Sequence, residues 1–281
     1  MNEMAIIGYG YWGKVVHNNL KSLNVDDVII CDPFCKEKNI VKNYQDIECK
    51  NVFVCVPTSR HYEICYHFLN SGSNVFCEKP LTASYTETEH LYKIAKNNKK
   101  KLFVDWIFTF NDHVKFIKSI CKSKQYGKLL SVTMNRLNMG PERKDVNARY
   151  DLSSHDVSIM LHVLEKMPSK TLWINYKRNK NSVKSDSAIG LLDFGGTLVQ
   201  INSSWYYGKK DRDCIFEFEK GFLYWDDVTQ VLKFNNQRID IKFKSPLINS
   251  IESFLSKDFN FKKQEKMTKQ ISQILEHESP F

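Results

Sequence analysis

From Met4 to Asp105 the chain alternates short apolar runs with amphipathic stretches. The runs are Met4–Ile7, Val28–Cys31, Val52–Val56, Val75–Cys77 and Leu102–Val104. Runs this short, apolar throughout, read as strands buried on both faces, so the alternation predicts a parallel sheet covered by helices. Ser59 is placed to cap a helix through about Asn70, with Ile64, Cys65, Phe68 and Leu69 as its buried stripe. A second helix is expected from about Ser84 to Asn97, burying Leu91, Ile94 and Ala95.

After Asp105 the rhythm changes. A helix is expected over Asn111–Cys121, a strand over Leu129–Asn135, a charged loop around Met139–Ala148, and a further helix from near Asp151. From Thr171 to Phe243 strand follows strand: Thr171–Tyr176, Ala188–Phe194, Thr197–Ser204, Asp213–Glu217, Gly221–Trp225, Val231–Phe234 and Arg238–Ile241, divided by Gly, Asn, Asp and Lys turns. Pro246 then leads into helices over Leu247–Leu255 and Lys263–Leu275. The fold class expected is α/β: a nucleotide-binding domain over 1–107, then an α/β domain over 108–281 with a large, open, antiparallel-rich sheet. The C-terminal helices can pack back on the first domain. One face of the sheet, carrying Leu198, Ile201 and Trp225, is expected to be apolar enough to pair with another copy, giving a homodimer or homotetramer.

Composition narrows the functional class. The 281 residues are 42% hydrophobic and 26% charged, with seven Pro and eleven Gly, which excludes a disordered or collagen-like chain. No run approaches the roughly 18 apolar residues of a membrane span, and no basic segment precedes the first strand, so a cytoplasmic protein with no membrane partner is expected. Cys31, Cys55 and Cys77 lie in apolar runs as small core residues; Cys31 and Cys35 lack a second ligand pair, so no metal is expected. The net charge of +9 raises nucleic acid as a partner. The excess is dispersed over Lys99–Lys101, Lys177–Lys184, Lys209–Arg212 and Lys262–Lys269 without a recognition motif, which favours a cationic solvated surface and no nucleic acid.

Two constellations carry chemistry. The first is Gly8-Tyr9-Gly10-Tyr11-Trp12-Gly13 between a strand and a helix. Gly8 permits the tight turn, Gly10 lets the backbone approach a pyrophosphate, and Gly13 lets the helix pack on the strand. The helix N-terminus then offers N–H groups and a favourable dipole to the phosphates. Asp32, at the end of the second predicted strand, can bond the adenosine ribose and would repel a 2′-phosphate, favouring NAD over NADP. It can also be a turn former before Pro33, and Lys36 nearby can receive a 2′-phosphate.

The second is Glu78-Lys79-Pro80, directly after a strand at the carboxyl edge where such sheets bind ligands, together with Asp151 and His155. Lys79 can direct a cation at cofactor and substrate oxygen; alone, the tripeptide is also an ordinary polar turn. The four-residue spacing puts Asp151 and His155 near one helix face, where Asp151 can equally serve as N-cap. A histidine in the first helical turn is kept neutral by the dipole and suits a general base.

Taken in order, Gly8–Gly13, Val54–His61, Glu78-Lys79-Pro80 and Asp151…His155 resemble the glucose-fructose oxidoreductase/inositol dehydrogenase family (Gfo/Idh/MocA) over nearly the whole chain. The resemblance implies an N-terminal Rossmann domain and a C-terminal α/β domain whose sheet forms the substrate floor and often the dimer interface. By it, Lys79, Asp151 and His155 are the catalytic set, with His155 the acid/base. Gly8, Gly10, Tyr11, Trp12, Gly13, Asp32, Pro57, Thr58, His61, Glu78 and Lys79 line the cofactor. The segment Arg136–Asn147 running into Asp151–Ser158 looks more specifically like the nucleotide-sugar 3-dehydrogenases and 3-ketoreductases. That implies hydride transfer at sugar C3, with Arg136, Asn138 and Arg143 holding sugar or diphosphate oxygens, or else salt-bridged within their loop. Ser158 stands where many members carry an acidic residue. The leading function is therefore an NAD-dependent oxidoreductase of a sugar or nucleotide-sugar; a non-catalytic NAD- and sugar-binding regulator and an NAD-using glycosidase are the alternatives.

Overall fold

The computed structural model describes residues 2–277. In chain order the strands of the first part are β1 (Asn2–Ile7), β2 (Val28–Cys31), β3 (Cys49–Val54), β4 (Asn74–Cys77) and β5 (Leu102–Val104), with helices α1 (Tyr11–Ser22), α2 (His61–Asn70) and α3 (Tyr85–Asn97). Next come α4 (Asp112–Ser123), β6 (Leu129–Met139), α5 (Ser154–Leu164), β7 (Lys170–Tyr176), β8 (Ser187–Asp193), β9 (Leu198–Ser204), β10 (Tyr206–Asp211), β11 (Asp213–Phe218), β12 (Gly221–Asp226), β13 (Val231–Phe234) and β14 (Gln237–Ile239). Helices α6 (Pro246–Leu255) and α7 (Phe261–Glu276) end the chain. Two compact units result, Met1–Trp106 with Ser245–Ser272, and Ile107–Lys244 with Gln273–Phe281. No helix among the described residues is long and apolar enough to cross a membrane.

The first unit is a parallel sheet of order β2-β1-β3-β4-β5, all five strands in register at their carboxyl ends. The order reverses between β1 and β3, which opens a crevice at that edge. The backbone ladder continues one residue beyond: Gly8 N–H donates to the Cys31 carbonyl, Cys55 to Ile7, Glu78 to Val54 and Asp105 to Cys77, at 2.8–3.0 Å. Asp105, Glu78, Cys55 and Gly8 therefore form one rim. Helices α6 and α7 close the far side: the Phe254 ring packs 5.5, 5.6 and 5.8 Å from those of Phe53, Phe76 and Phe103. Gln264 saturates the edge strand β5, its amide donating to the Val104 carbonyl at 2.9 Å, which removes an open sheet edge.

Ser84 caps α3, accepting from Glu87 N–H. Ser59 does not cap α2; it sits inside a short 3-10 turn, Thr58–Arg60, and α2 begins at His61 without a side-chain cap.

The second unit carries nine strands in the order β14-β13-β12-β11-β6-β9-β8-β7, with β10 also on β6. Every pairing is antiparallel except β6 with β9, so the sheet is mixed rather than purely antiparallel. One buried row crosses it: Trp173, Gly190, Ile201, Met134, Cys214, Trp225 and Leu232 are successive cross-strand partners. Ile201 and Trp225 thus lie in the core at 0% exposure, whereas Leu198 is 51% exposed on the other face. The expectation that the three share an outward face is corrected. Side chains alternate along a strand, and Leu198 and Ile201 differ by an odd number of positions.

Candidate functional site

The glycine turn at the end of β1 is built by steric exclusion. Gly8 has φ +94°, and a Cβ there would meet the Cys55 carbonyl at 2.8 Å; a Cβ on Gly13 would lie 2.0 Å from Gly8 O. Both must be glycine for α1 to start this close to the sheet. At Gly10 the case is opposite: a Cβ would meet nothing within 4 Å. That space faces the start of α1, which no side chain caps, the arrangement that receives a phosphate. Asp32 accepts Tyr9 N–H at 2.7 Å through Oδ2, and Phe34 and Cys35 N–H at 2.8 and 3.1 Å through Oδ1. It is both the turn former and an acid held against the glycine loop.

Around that turn, Tyr11 is exposed and the Trp12 indole donates to the Glu78 carboxyl. Pro57 leads into the 3-10 turn in which Thr58 is buried, its Oγ1 without a partner among the described residues. His61 is buried: Nδ1 faces the carbonyls of Pro80 (2.9 Å) and Leu81 (3.2 Å), and Nε2 that of Val56 (2.9 Å). Its ring therefore ties together the backbone at Val56, Pro80 and Leu81. Lys79 follows β4 directly, with a cis bond to Pro80. Burial pushes the Glu78 carboxyl well above its ordinary range, neighbouring Asp105 pushes the same way, and the Trp12 hydrogen bond and Lys79 oppose it.

In the second unit, Asp151 lies in a single π-helical turn, Arg149–Ser153, that precedes α5. It is not the N-cap that the sequence offered as one reading. The Trp205 indole donates to its Oδ2 at 3.0 Å. His155 stands in the first turn of α5, its ring edge-on to Phe108 at 5.0 Å. Because the π-turn continues into α5, the N–H groups at this helix start are not freely exposed, which weakens the dipole argument for His155.

Arg136 is 2% exposed, donates three hydrogen bonds of 2.8–3.2 Å to Asp156, pairs with Asp227 at 3.5 Å and stacks on Phe108 at 4.6 Å. Its guanidinium is committed inside the fold. Asn138 keeps a buried Oδ1 with no partner among the described residues, and Arg143, partly exposed, pairs with Asp145 at 3.5 Å. No group of three or more His, Cys, Asp or Glu among the described residues is placed to hold a metal.

Sequence reasoning passed over three residues that matter here. Trp205 holds Asp151, and Asp156 neutralises Arg136. Asp105 on the rim beside Glu78 is 1% exposed, and burial raises its carboxyl to about 7. Asp156 sits in the Asp151–Ser158 segment already singled out; nothing local marks Trp205 or Asp105.

Residues 3–106 match the family described as oxidoreductase family, NAD-binding Rossmann fold (GFO_IDH_MocA). Over 187 residues the chain is 24% identical to the inositol 2-dehydrogenase of Rhizobium meliloti (strain 1021), covering 59% of this chain and 56% of that protein. It thus spans little more than half the length of that relative. Among solved structures, the UDP-N-acetylglucosamine 3-dehydrogenase of Acidithiobacillus ferrooxidans superposes with TM-score 0.80 at 17% identity, covering 97% of this chain and 96% of that one. A 3-ketoreductase from Actinomadura kijaniata, solved with TDP-benzene and NADP, gives TM-score 0.83 at 16% identity, covering 97% and 95%. At such identities the likeness is one of fold. The family match falls on the domain whose glycine turn, crevice and rim are described above, so residues 3–106 resemble the NAD-binding Rossmann domain of the Gfo/Idh/MocA oxidoreductases.

Proposed function

We propose that the protein is an NAD-dependent oxidoreductase that interconverts a secondary hydroxyl and a ketone on a sugar ring, at C3 of a nucleotide-linked sugar. The observation that carries this reading is the rim of the first sheet. The open Gly10 cradle and Lys79 stand on one carboxyl edge of the sheet, so a phosphate-binding turn and a lysine share that edge. Asp32 favours NAD over NADP by charge alone. Bound NAD supplies the acceptor or donor of the hydride.

The remaining work belongs to side chains. Lys79 is assigned the polarising of the reacting oxygen and His155 its proton, and Asp151, oriented by Trp205, tunes His155. Asn138 and Arg143 contact sugar or diphosphate oxygens. Arg136 supports them from within the fold rather than gripping the substrate. The chain pairs with a second copy through the outer sheet face, where Leu172, Leu191, Ile215 and Tyr224 lie in one register row; light scattering that returns a monomer at micromolar concentration refutes this.

The test is a panel of UDP-, dTDP- and GDP-sugars and inositols with NAD or NADH, followed by NADH absorbance and thermal shift. His155→Ala is expected to lower turnover roughly 100-fold or more with NAD affinity nearly unchanged. Lys79→Ala should lower turnover and weaken substrate binding, and Lys79→Arg should rescue poorly because a planar fork cannot replace a point charge. Near wild-type rates in both alanine variants refute the site. Binding without turnover marks a regulator, and release of free sugar without net NADH marks a glycosidase.

A further inference from the structure

One of the basic segments of the chain, Lys177–Lys184, is ordered in a way that the chemistry described so far does not use. It is the connection between β7 and β8. Asp186, 0% exposed, ties it from within: Oδ1 accepts the Arg178 N–H at 2.9 Å, and Oδ2 accepts the Asn179 N–H at 2.8 Å and the Ser182 hydroxyl at 3.0 Å. Glu142 anchors the same loop, accepting the Val183 N–H at 3.0 Å and the hydroxyls of Ser182 and Tyr206 at 3.3 Å. Both carboxylates are thus engaged by backbone N–H and hydroxyl donors. The side chains of Lys177, Arg178, Lys180 and Lys184 are exposed, and none of them pairs with an acid among the described residues.

Arg178 is nevertheless held in place. Its guanidinium carbon lies 5.6 Å from the ring centroid of Tyr176 on β7 and 5.6 Å from that of Tyr207 on β10, and it donates to the Tyr176 hydroxyl at 3.2 Å. Ring contacts fix a guanidinium without consuming its N–H groups, so most of its five donors remain unspent. An ordered fork with no acid beside it, flanked by two aromatic rings, suits a phosphate group that carries a planar base.

The loop is joined to Asp151 by short steps. The Asp186 carbonyl accepts the Trp205 N–H at 2.9 Å, and the Trp205 indole donates to Asp151. The Ser185 carbonyl accepts the Ala148 N–H at 3.0 Å, and Ala148 opens the π-turn that carries Asp151. Tyr207 stands two residues after Trp205. We propose that Arg178, steadied between Tyr176 and Tyr207, binds the diphosphate of the nucleotide-linked substrate, with Lys177, Lys180 and Lys184 providing the positive field around it. This rests on the nucleotide-linked reading given above and adds a pre-ordered grip to the contacts of Asn138 and Arg143.

The probes are UDP, dTDP and GDP without sugar, titrated by calorimetry into the whole chain. NADH is kept saturating so that the glycine turn is filled, and salt at about 0.15 M, where loose surface charge is largely screened. At least one diphosphate is expected to bind. Arg178→Ala should weaken it about tenfold or more, the scale of a lost charge-assisted contact. Arg178→Lys should recover little, since a point charge does not replace a planar fork. Arg178 is exposed, so both variants should melt at the wild-type Tm. No binding by any of the three, equal binding by wild type and Arg178→Ala, or full recovery in Arg178→Lys overturns the proposal. A mixed-sequence single-stranded DNA that binds more tightly than the diphosphates and is released by Arg178→Ala makes the loop a nucleic-acid surface and overturns it too.

The two readings fail separately. Diphosphate binding that depends on Arg178, with no turnover of any sugar, keeps this site and refutes the oxidoreductase. Turnover of a free sugar or inositol without diphosphate binding does the reverse. Where a nucleotide-sugar is turned over, Arg178→Ala should raise KM about tenfold with kcat nearly unchanged, the mark of lost ground-state binding. A structural role for Arg178 would lower kcat on linked and unlinked sugars alike, which also overturns the proposal.

Discussion

Arg136→Met is the substitution whose consequence the structure specifies most fully. It removes three hydrogen bonds to Asp156 and the ion pair to Asp227, and leaves two carboxylates facing each other in a site where Asp156 is 0% exposed. Methionine refills most of the volume over Phe108, so packing loss is minor. The cost is the uncompensated buried charge, about 3–5 kcal/mol.

It carries a pH signature. Burial already raises the Asp156 carboxyl, while Arg136 holds it down. Without Arg136 the folded-state pKa climbs further above the unfolded value. A native state that binds the extra proton loses stability as pH rises through that interval. The deficit of the variant should therefore be larger at pH 8 than at pH 5. Urea unfolding followed by tryptophan fluorescence at both pH values measures it, and the double change Arg136→Met/Asp156→Leu should recover at least half. A deficit below about 1 kcal/mol at both pH values, or one that shrinks as pH rises, refutes the reasoning. It would return Arg136 to the substrate.

Gly10→Val should abolish NADH binding in calorimetry with little change in Tm, because its Cβ has open space; Gly13→Ala, with a Cβ 2.0 Å from Gly8 O, should instead lower Tm sharply. Trp205→Phe removes the donor to Asp151 and should lower turnover while NADH affinity holds, read by kinetics and calorimetry. Asp105→Asn should stabilise the protein increasingly as pH rises. The carboxyl moves from an ordinary 3.8 to about 7 on folding, a raised pKa whose penalty is absent in acid and fully present above about 7, at most roughly 4 kcal/mol at 1.36 kcal/mol per pH unit. Thermal melts of wild type and variant across that range that run parallel would refute it.

The first sheet was legible because buried parallel strands announce themselves as continuous apolar runs, and because Gly8 and Gly13 admit no other residue. What escaped the sequence depends on partners far away in the chain. β10 (Tyr206–Asp211) reads Tyr-Tyr-Gly-Lys-Lys-Asp, too polar for the pattern, and forms because β6 runs on to Met139 and offers it an edge. The parallel pairing of β6 with β9 has no local sign. Asp151 looked like a helix cap since Asp before an apolar periodicity usually is one; an inserted π-turn shifts the helix start by three residues and frees its carboxylate for Trp205. Arg136 resembled an anion ligand by type, and only Asp156, twenty positions on, shows where its charge is neutralised.

Asp105 shows why the functional residues were the harder part. Directly after an apolar run it invited no comment, and an asparagine or serine there would satisfy Ser250 without a buried charge. A carboxyl enclosed at 1% exposure with one oxygen bare works against folding. Local rules are broken at sites where chemistry needs the charge more than the fold needs the stability. If Asp105→Asn gains stability at high pH, that gain measures the cost of one buried carboxylate on this rim.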